Sequence, residues 1–250
     1  MRSVEFLTGQ PKLNRIYQRY RAEQGREARN FWDAAIDRLK LNLTYDPVRL
    51  SNIPKEGPLV VVANHPYGVI DGLTACYLIS RVRPDFKFLA HSAFLKAPEL
   101  NDYLIPIHFE GSSSSLRANV EPRRQAISHL SNGGVIIIFP AGRVSTSPKV
   151  FDEAVDAPWK LFAASMIQRS QADVLPLHFE GKNSWLFHFV SLFSESLREA
   201  VLLGETRKRI NSTLTANIGE IIAFEKLATI TDRQEMLDII RSKVFELQQR

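Results

Sequence analysis

The chain has 250 residues, 44% of them hydrophobic and 24% charged, a balance that suits one globular domain and excludes a disordered chain. Its single cysteine, Cys76, cannot form an internal disulfide, so a disulfide scaffold is excluded and a cytosolic compartment is the expectation. The net charge of +5 and a pI of about 9.4 favour an anionic partner, and no run approaches the ~20 apolar residues that cross a bilayer.

Up to Arg29 the chain carries Arg2, Lys12, Arg15, Arg19, Arg21, Arg26 and Arg29 against Glu5, Glu23 and Glu27. Within this stretch Leu13, Ile16, Tyr17 and Tyr20 recur at helical spacing, with Lys12, Arg15 and Arg19 on other faces. Phe31, Trp32, Ala35, Ile36 and Leu39 mark a second helix. Residues 1–42 therefore read as an N-terminal helical arm, expected to face an anionic membrane surface. The alternative is that its apolar stripe packs on the domain.

Residues 43–250 read as one α/β domain with a central, mostly parallel or mixed sheet flanked by helices. Strands are predicted at 58–63, 86–90, 104–108, 135–139 and 173–178. Helices are predicted at 72–81, 117–130, 159–169 and 231–248, the last with Asp232 as its cap.

One segment is echoed within the chain: Ile105-Pro-Ile-His-Phe-Glu-Gly111 is similar to Leu175-Pro-Leu-His-Phe-Glu-Gly181. Both read as strands running into loops at the same side of a sheet. If the two also lay close together, His108, Glu110, His178 and Glu180 would cluster. Joined by His65 and Asp71, they would make a metal-dependent hydrolase the competing reading. The spacing matches no recognised metal signature, and the expected metal content is none. His91, His129 and His188 lack a partner pattern and read as structural or surface residues.

Two motifs carry chemistry. In Val60-Val-Val-Ala-Asn-His-Pro-Tyr-Gly-Val-Ile-Asp-Gly72 a buried strand delivers Asn64 and His65 to its end, Pro66 and Gly68 turn the chain, and a helix begins near Asp71. Ligands of open α/β sheets bind beyond the carboxyl ends of the strands. A histidine there can take a proton from a hydroxyl, and a carboxylate returning from the next helix can fix its tautomer. Asp71 is equally readable as a helix cap alone. In Gly133-Gly-Val-Ile-Ile-Ile-Phe-Pro-Ala-Gly-Arg-Val-Ser-Thr146 a second strand runs into a turn, where Gly142 permits close approach and Arg143 offers a forked charge to an anion.

Together these segments resemble the glycerolipid acyltransferase superfamily over roughly residues 43–203. Asn64-His65 with Asp71 is similar to its first block, Phe139-Pro-Ala-Gly-Arg-Val-Ser145 to its Phe-Pro-Glu-Gly-Thr-Arg-Ser block, and Val174-Leu-Pro-Leu177 to the block that follows. Five residues separate His65 from Asp71 where the common pattern has four. That form, with Phe179-Glu-Gly-Lys-Asn-Ser184, resembles the branch called hemolysin-like or lyso-ornithine-lipid acyltransferase. The usual Glu is Ala141 and the arginine falls one position early, at Arg143. In the wider family that Glu and Arg serve an acceptor phosphate, so an aminoacyl lipid or another lyso-lipid is at least as fitting an acceptor here.

The resemblance implies transfer of an acyl group from acyl-CoA or acyl carrier protein to a lyso-lipid hydroxyl, with His65 and Asp71 catalytic. It also implies that Asn64, Phe139, Pro140, Gly142, Arg143 and Ser145 bind acceptor or donor. No cofactor beyond the thioester co-substrate is expected. The expected partners are the lyso-lipid, the thioester, an anionic membrane surface and acyl carrier protein, with no nucleic acid. The expected place is the inner face of the cytoplasmic membrane. A non-catalytic lipid-binding protein is the other alternative. The segment Trp185-Leu-Phe-His-Phe-Val-Ser-Leu-Phe193 is dense in aromatics, as an acyl tunnel, a membrane contact or core packing would be.

Overall fold

The structure is a computed structural model that describes residues 10–23, 31–108, 117–148, 152–193 and 195–248. Arg2, Glu5, Arg26, Glu27, Arg29 and Glu110 lie outside the described residues.

The centre is a pair of strands, β2 (Leu59–Ala63) and β5 (Val135–Ile138), in which every residue is buried. Continuous β-branched runs of this kind belong to parallel strands covered on both faces. Alternate residues divide between two cores: Leu59, Val61, Val135 and Ile137 enter one, and Val60, Val62, Ile136 and Ile138 enter the other. With β1 (Asn42–Thr44), β3 (Phe86–Ala90), β4 (Leu104–Pro106), β6 (Asp173–Phe179) and β7 (Thr213–Ile218), the sheet has the order β1-β7-β6-β2-β5-β3-β4. β6, β2, β5, β3 and β4 are mutually parallel, whereas β7 runs antiparallel to β6 and carries β1 parallel to itself. The sheet is thus mixed, as expected.

Helices cover both faces. α1 (Gln10–Glu23), α2 (Phe31–Leu39) and α4 (Val69–Ser80) lie over the first core. α5 (Val120–Ser131), α6 (Phe162–Ser170) and α10 (Arg233–Phe245) cover the second. Short helices α3 (Pro47–Ser51), α7 (Trp185–Ser191) and α9 (Phe224–Leu227) and the longer α8 (Glu195–Lys208) complete the fold. Asp232 caps α10 by accepting from the amides of Gln234 and Glu235, as its place in the sequence predicts.

The arm's apolar stripe turns inward. Leu13 and Ile16 pack on the first core, and the Tyr17 hydroxyl donates to Glu99 at 2.8 Å. Trp32 is itself core, 2% exposed and ringed by Phe31, Phe86, Phe88 and Tyr103. What α1 shows to solvent is its basic face, Lys12, Arg15 and Arg19. The stripe packing on the domain is therefore the reading that holds. A two-tyrosine, two-aliphatic stripe gains more from the aromatic surface of Phe31 and Trp32 than from water.

Candidate active site

The parallel strands deliver their following loops to one edge of the sheet. After β2 the chain enters Asn64-His65-Pro66-Tyr67-Gly68, and α4 starts at Val69, three residues before the predicted start. The reason is Asp71, which lies inside the first turn and not at the cap. Its Oδ2 accepts the amides of Tyr67 at 2.8 Å and Gly68 at 2.9 Å. The same oxygen accepts from His65 Nδ1 at 3.0 Å. Capping and pairing with histidine are thus one arrangement.

Asp71 is fully buried, and burial pushes its carboxyl above the ordinary value. The three donors on Oδ2 oppose this and favour the carboxylate, with the imidazole the strongest of them. A carboxylate at this distance from Nδ1 suits the tautomer with its proton there, in which Nε2 carries no hydrogen. The ring lines the cleft and stacks on Phe139, with centroids 4.1 Å apart and planes at 28°.

Phe139 leads the loop after β5. Gly142 sits at a φ of +69°, and its amide donates to the Phe139 carbonyl at 2.9 Å, closing the turn. Pro140 and Ala141 are buried, while Arg143 is exposed at the cleft and makes no hydrogen bond or ion pair among the described residues. Lys160 stands on the same lining.

Two residues expected to bind substrate are turned elsewhere. Asn64 is buried, its Nδ2 donating to the Phe179 carbonyl at 2.9 Å and its Oδ1 accepting the Phe179 amide at 2.7 Å. Its amide therefore staples the end of β2 to the end of β6. Ser145 is buried too: its amide donates to the His65 carbonyl at 2.8 Å and its hydroxyl to Asp156.

Asp156 is the residue sequence reasoning missed. It is 6% exposed, and besides Ser145 it accepts the His65 amide at 3.3 Å and the Trp159 indole N–H at 3.0 Å. It therefore ties the two motif loops together behind the imidazole. A buried acid in a loop, three residues before a tryptophan, was the available signal.

The cleft beside His65 has a volume of about 770 Å³. Its depth is apolar, with Trp32, Leu73, Cys76, Phe88 and Leu100, and its mouth carries Arg143 and Lys160. Burial holds the Cys76 thiol well above its ordinary pKa, so it is a neutral wall and not a nucleophile.

His108 and His178, the described histidines of the two His-x-Glu segments, do not converge. β4 and β6 end at the same edge, but three strands lie between them, a separation of about 19 Å at ~4.8 Å per strand. The His108 amide donates to Asn119 Oδ1 and its carbonyl accepts from Asn119 Nδ2. His178 Nδ1 lies 3.5 Å from Glu180 Oε1, and the ring packs on Phe245. Among the described residues no three His, Cys, Asp or Glu side chains form a metal-binding group. The shared-site reading is corrected by strand order, which a local repeat does not encode.

A His–Asp pair lies beside an apolar-lined cleft at the carboxyl edge of a mixed sheet, an arrangement that fits the class of enzymes acting on apolar substrates. The chain matches the family described as Acyltransferase over residues 13–248 and belongs to it. It is 27% identical over 206 residues to the lyso-glycine lipid O-acyltransferase of Phocaeicola vulgatus, spanning 79% of this chain and 71% of that one. The protein of the same name from Bacteroides thetaiotaomicron is 25% identical over 206 residues, 79% of this chain and 73% of the relative. Among solved structures, the 1-acyl-sn-glycerophosphate (LPA) acyltransferase PlsC from Thermotoga maritima has a TM-score of 0.54 at 21% identity, covering 87% of this chain and 76% of that one, a likeness of fold. The protein is accordingly an acyltransferase, which removes both the hydrolase and the non-catalytic alternatives.

Proposed function

We propose that this acyltransferase moves a fatty acyl group from a thioester to the hydroxyl of a lyso-lipid with an anionic headgroup, using His65 as general base. The observation that carries this reading is the His65–Asp71 pair opening on an apolar-lined cleft that also bears the exposed guanidinium of Arg143. The names of the curated relatives support a lyso-lipid acceptor, and a glycine-type carboxylate suits Arg143 as well as a phosphate would.

In the reaction, the acceptor hydroxyl lies at His65 Nε2 and the thioester carbonyl beside it. Nε2 takes the proton as the hydroxyl oxygen attacks the carbonyl carbon. Asp71 steadies the imidazolium. The oxyanion needs donors, and the Gly142 amide is already engaged by Phe139, so the Arg143 amide or guanidinium takes that place. Collapse breaks the carbon–sulfur bond, and the imidazolium returns its proton to the thiolate. No covalent enzyme intermediate forms. Phe139, stacked on the ring, keeps the imidazole in plane with Asp71. The docking partner is an anionic membrane surface on the inner face of the cytoplasmic membrane, and no helix among the described residues is long and apolar enough to cross it.

The test is transfer to a panel of lyso-lipids, aminoacyl and phosphate, from acyl-CoA and from acyl carrier protein, with His65→Ala as control. A folded His65→Ala protein with wild-type transfer overturns the mechanism, and an acyl-enzyme trapped on quenching replaces it with a covalent route.

A further inference from the structure

Helix α7 is a seven-residue helix with two unlike faces. Its inner face is anchored to the site. Phe187 is fully buried and lines the cleft, and His188 Nδ1 accepts the Ser147 amide at 3.3 Å, four residues beyond Arg143. His188 Nε2 donates to the Asn183 carbonyl at 3.1 Å, and burial lowers the imidazole pKa, as a neutral ring serving two partners requires. The helix start is pinned by Glu205, whose carboxylate accepts both the amide and the hydroxyl of Ser184. Leu202 of α8 lies on the other side of the mouth. A Cβ placed on Gly68, three residues after His65, would meet its Cδ1 at 3.0 Å.

The outer face is exposed among the described residues. Trp185 is 63% exposed and Phe193 71%, with Leu186, Phe189 and Leu192 exposed beside them. At ~100° per residue these five positions fall within an arc of about 120°, so they form one stripe. The rings of Trp185, Phe189 and Phe193 run in contact along it. No charged residue interrupts 185–193. Such a face in water is a binding surface.

We propose that this face is the enzyme's bilayer-docking surface, seating α7 among the headgroups of an anionic membrane so that the cleft opens onto its lipid substrate. The proposal rests on the reading of that substrate as a lyso-lipid. Charge identifies the occupant as a bilayer. Exposed Lys182 lies three residues before Trp185, and Lys208, ion-paired with Glu205 at 2.6 Å, stands beside Ser184 at the helix start. α1 packs against α8 and presents Lys12, Arg15 and Arg19 outward. An apolar stripe of Trp, Phe and Leu with lysine near its start, on a molecule whose α1 shows a basic face, fits the interface of an anionic leaflet, into which such helices sink roughly 5–10 Å. Continuity with the cleft through Phe187 gives the lipid a route that avoids water.

The molecule carries its own reporter. Of its three tryptophans, Trp32 and Trp159 are buried and only Trp185 meets solvent. Phosphatidylcholine vesicles containing phosphatidylglycerol should blue-shift the emission, brominated lipid should quench it, and Trp185→Phe should abolish the shift while the protein still sediments with vesicles. Phe189→Ser with Phe193→Ser should weaken vesicle partition by roughly tenfold or more. The same pair should leave transfer to a water-soluble short-chain acceptor within about twofold, since neither residue lines the cleft. An unshifted Trp185, or vesicle binding untouched by the double substitution, overturns the proposal. So does a dimer in sedimentation velocity that the double substitution dissociates, which would assign the face to a second copy. A protein that binds vesicles as described but transfers no acyl group to any lyso-lipid fails the functional reading alone.

Discussion

At the amino-terminal edge of β2, β3 and β5 sits Arg83, and at the carboxyl edge of β5 sits Arg143. Arg83 is 1% exposed: Nε and Nη2 bind the Asp85 carboxylate, Nη1 binds the Pro54 carbonyl, and Nη2 also meets the carbonyls of Gly57 and Gly133. It locks together the three loops that feed the strands. Arg143 has the same chemistry but is exposed, and among the described residues its guanidinium meets no partner. A guanidinium saturated by the protein stabilises, whereas an unsaturated one at a cleft is available to a ligand. The two edges therefore differ in kind: one is closed by internal bonds, and the other is held open by bonds placed behind it, those of Asn64, Ser145 and Asp156.

The largest effects should separate the edges. His65→Ala should lower turnover about a hundredfold to ten-thousandfold with the thermal midpoint unchanged, measured by steady-state transfer and circular dichroism. Asp71→Asn should lower turnover on a similar scale, and its stability carries a sign. Burial raises the Asp71 pKa, so between its ordinary and its folded value the folded state holds the proton more tightly, and the carboxylate subtracts stability as pH rises through that window. Above it, Asp71→Asn should fold at least as well as the wild type in urea titrations. A marked loss of stability would mean that the cap, and not the charge, dominates.

Arg83→Met should do the opposite, lowering unfolding free energy by roughly 3–5 kcal/mol because three carbonyls and Asp85 lose their donor, with turnover per folded molecule kept. Comparable losses of activity and stability from both arginines would erase the distinction. Arg143→Ala should reduce kcat/KM by roughly tenfold to a hundredfold with no change in the urea midpoint, and Arg143→Lys should restore part of it. Cys76→Phe should shorten the preferred acyl chain, each excluded methylene weakening transfer about fourfold, as read by competition between donors of different length.

The smallest effect is in acid. Arg83 holds Asp85 below the ordinary carboxyl range; Glu205 is raised by burial but pulled lower overall by Lys208 and Ser184. Both contribute stability that is present above about pH 4 and fades as pH falls through their folded values. The midpoint of Arg83→Met should therefore fall less between pH 5 and pH 3 than that of the wild type, while Glu205→Gln should loosen α7 first, seen as a shift in Trp185 emission.

β2 and β5 were legible because an uninterrupted Val or Ile run is buried on both faces wherever it lies in a parallel sheet. β7 was not: Thr213-Leu-Thr-Ala-Asn-Ile218 alternates, runs antiparallel to β6 and parallel to β1, and draws its place from those two distant partners. The aromatic segment 185–193 stood out in the sequence but not as a helix, because its apolar stripe faces outward and its buried face holds only Phe187 and His188, the reverse of the pattern that marks a core helix. Asn64 was read toward the substrate, yet a polar side chain at a strand end can serve a cleft or a neighbouring strand, and the neighbour is β6, more than a hundred residues later.

The sequence by itself determined the His65–Asp71 pair. Seven residues, His65 to Asp71, joined by a proline–glycine turn into a helix have few conformations, and the donors of Tyr67 and Gly68 select the one that brings the carboxylate to the ring. Only the tertiary structure decided what surrounds that pair: Phe139 against its face, Asp156 behind it, Leu202 over Gly68, and the distance that keeps His108 from His178. Contacts between neighbours in the chain follow from backbone geometry, whereas contacts across 70 to 140 residues follow from strand order. That order is settled by which faces of the whole sheet can be buried together.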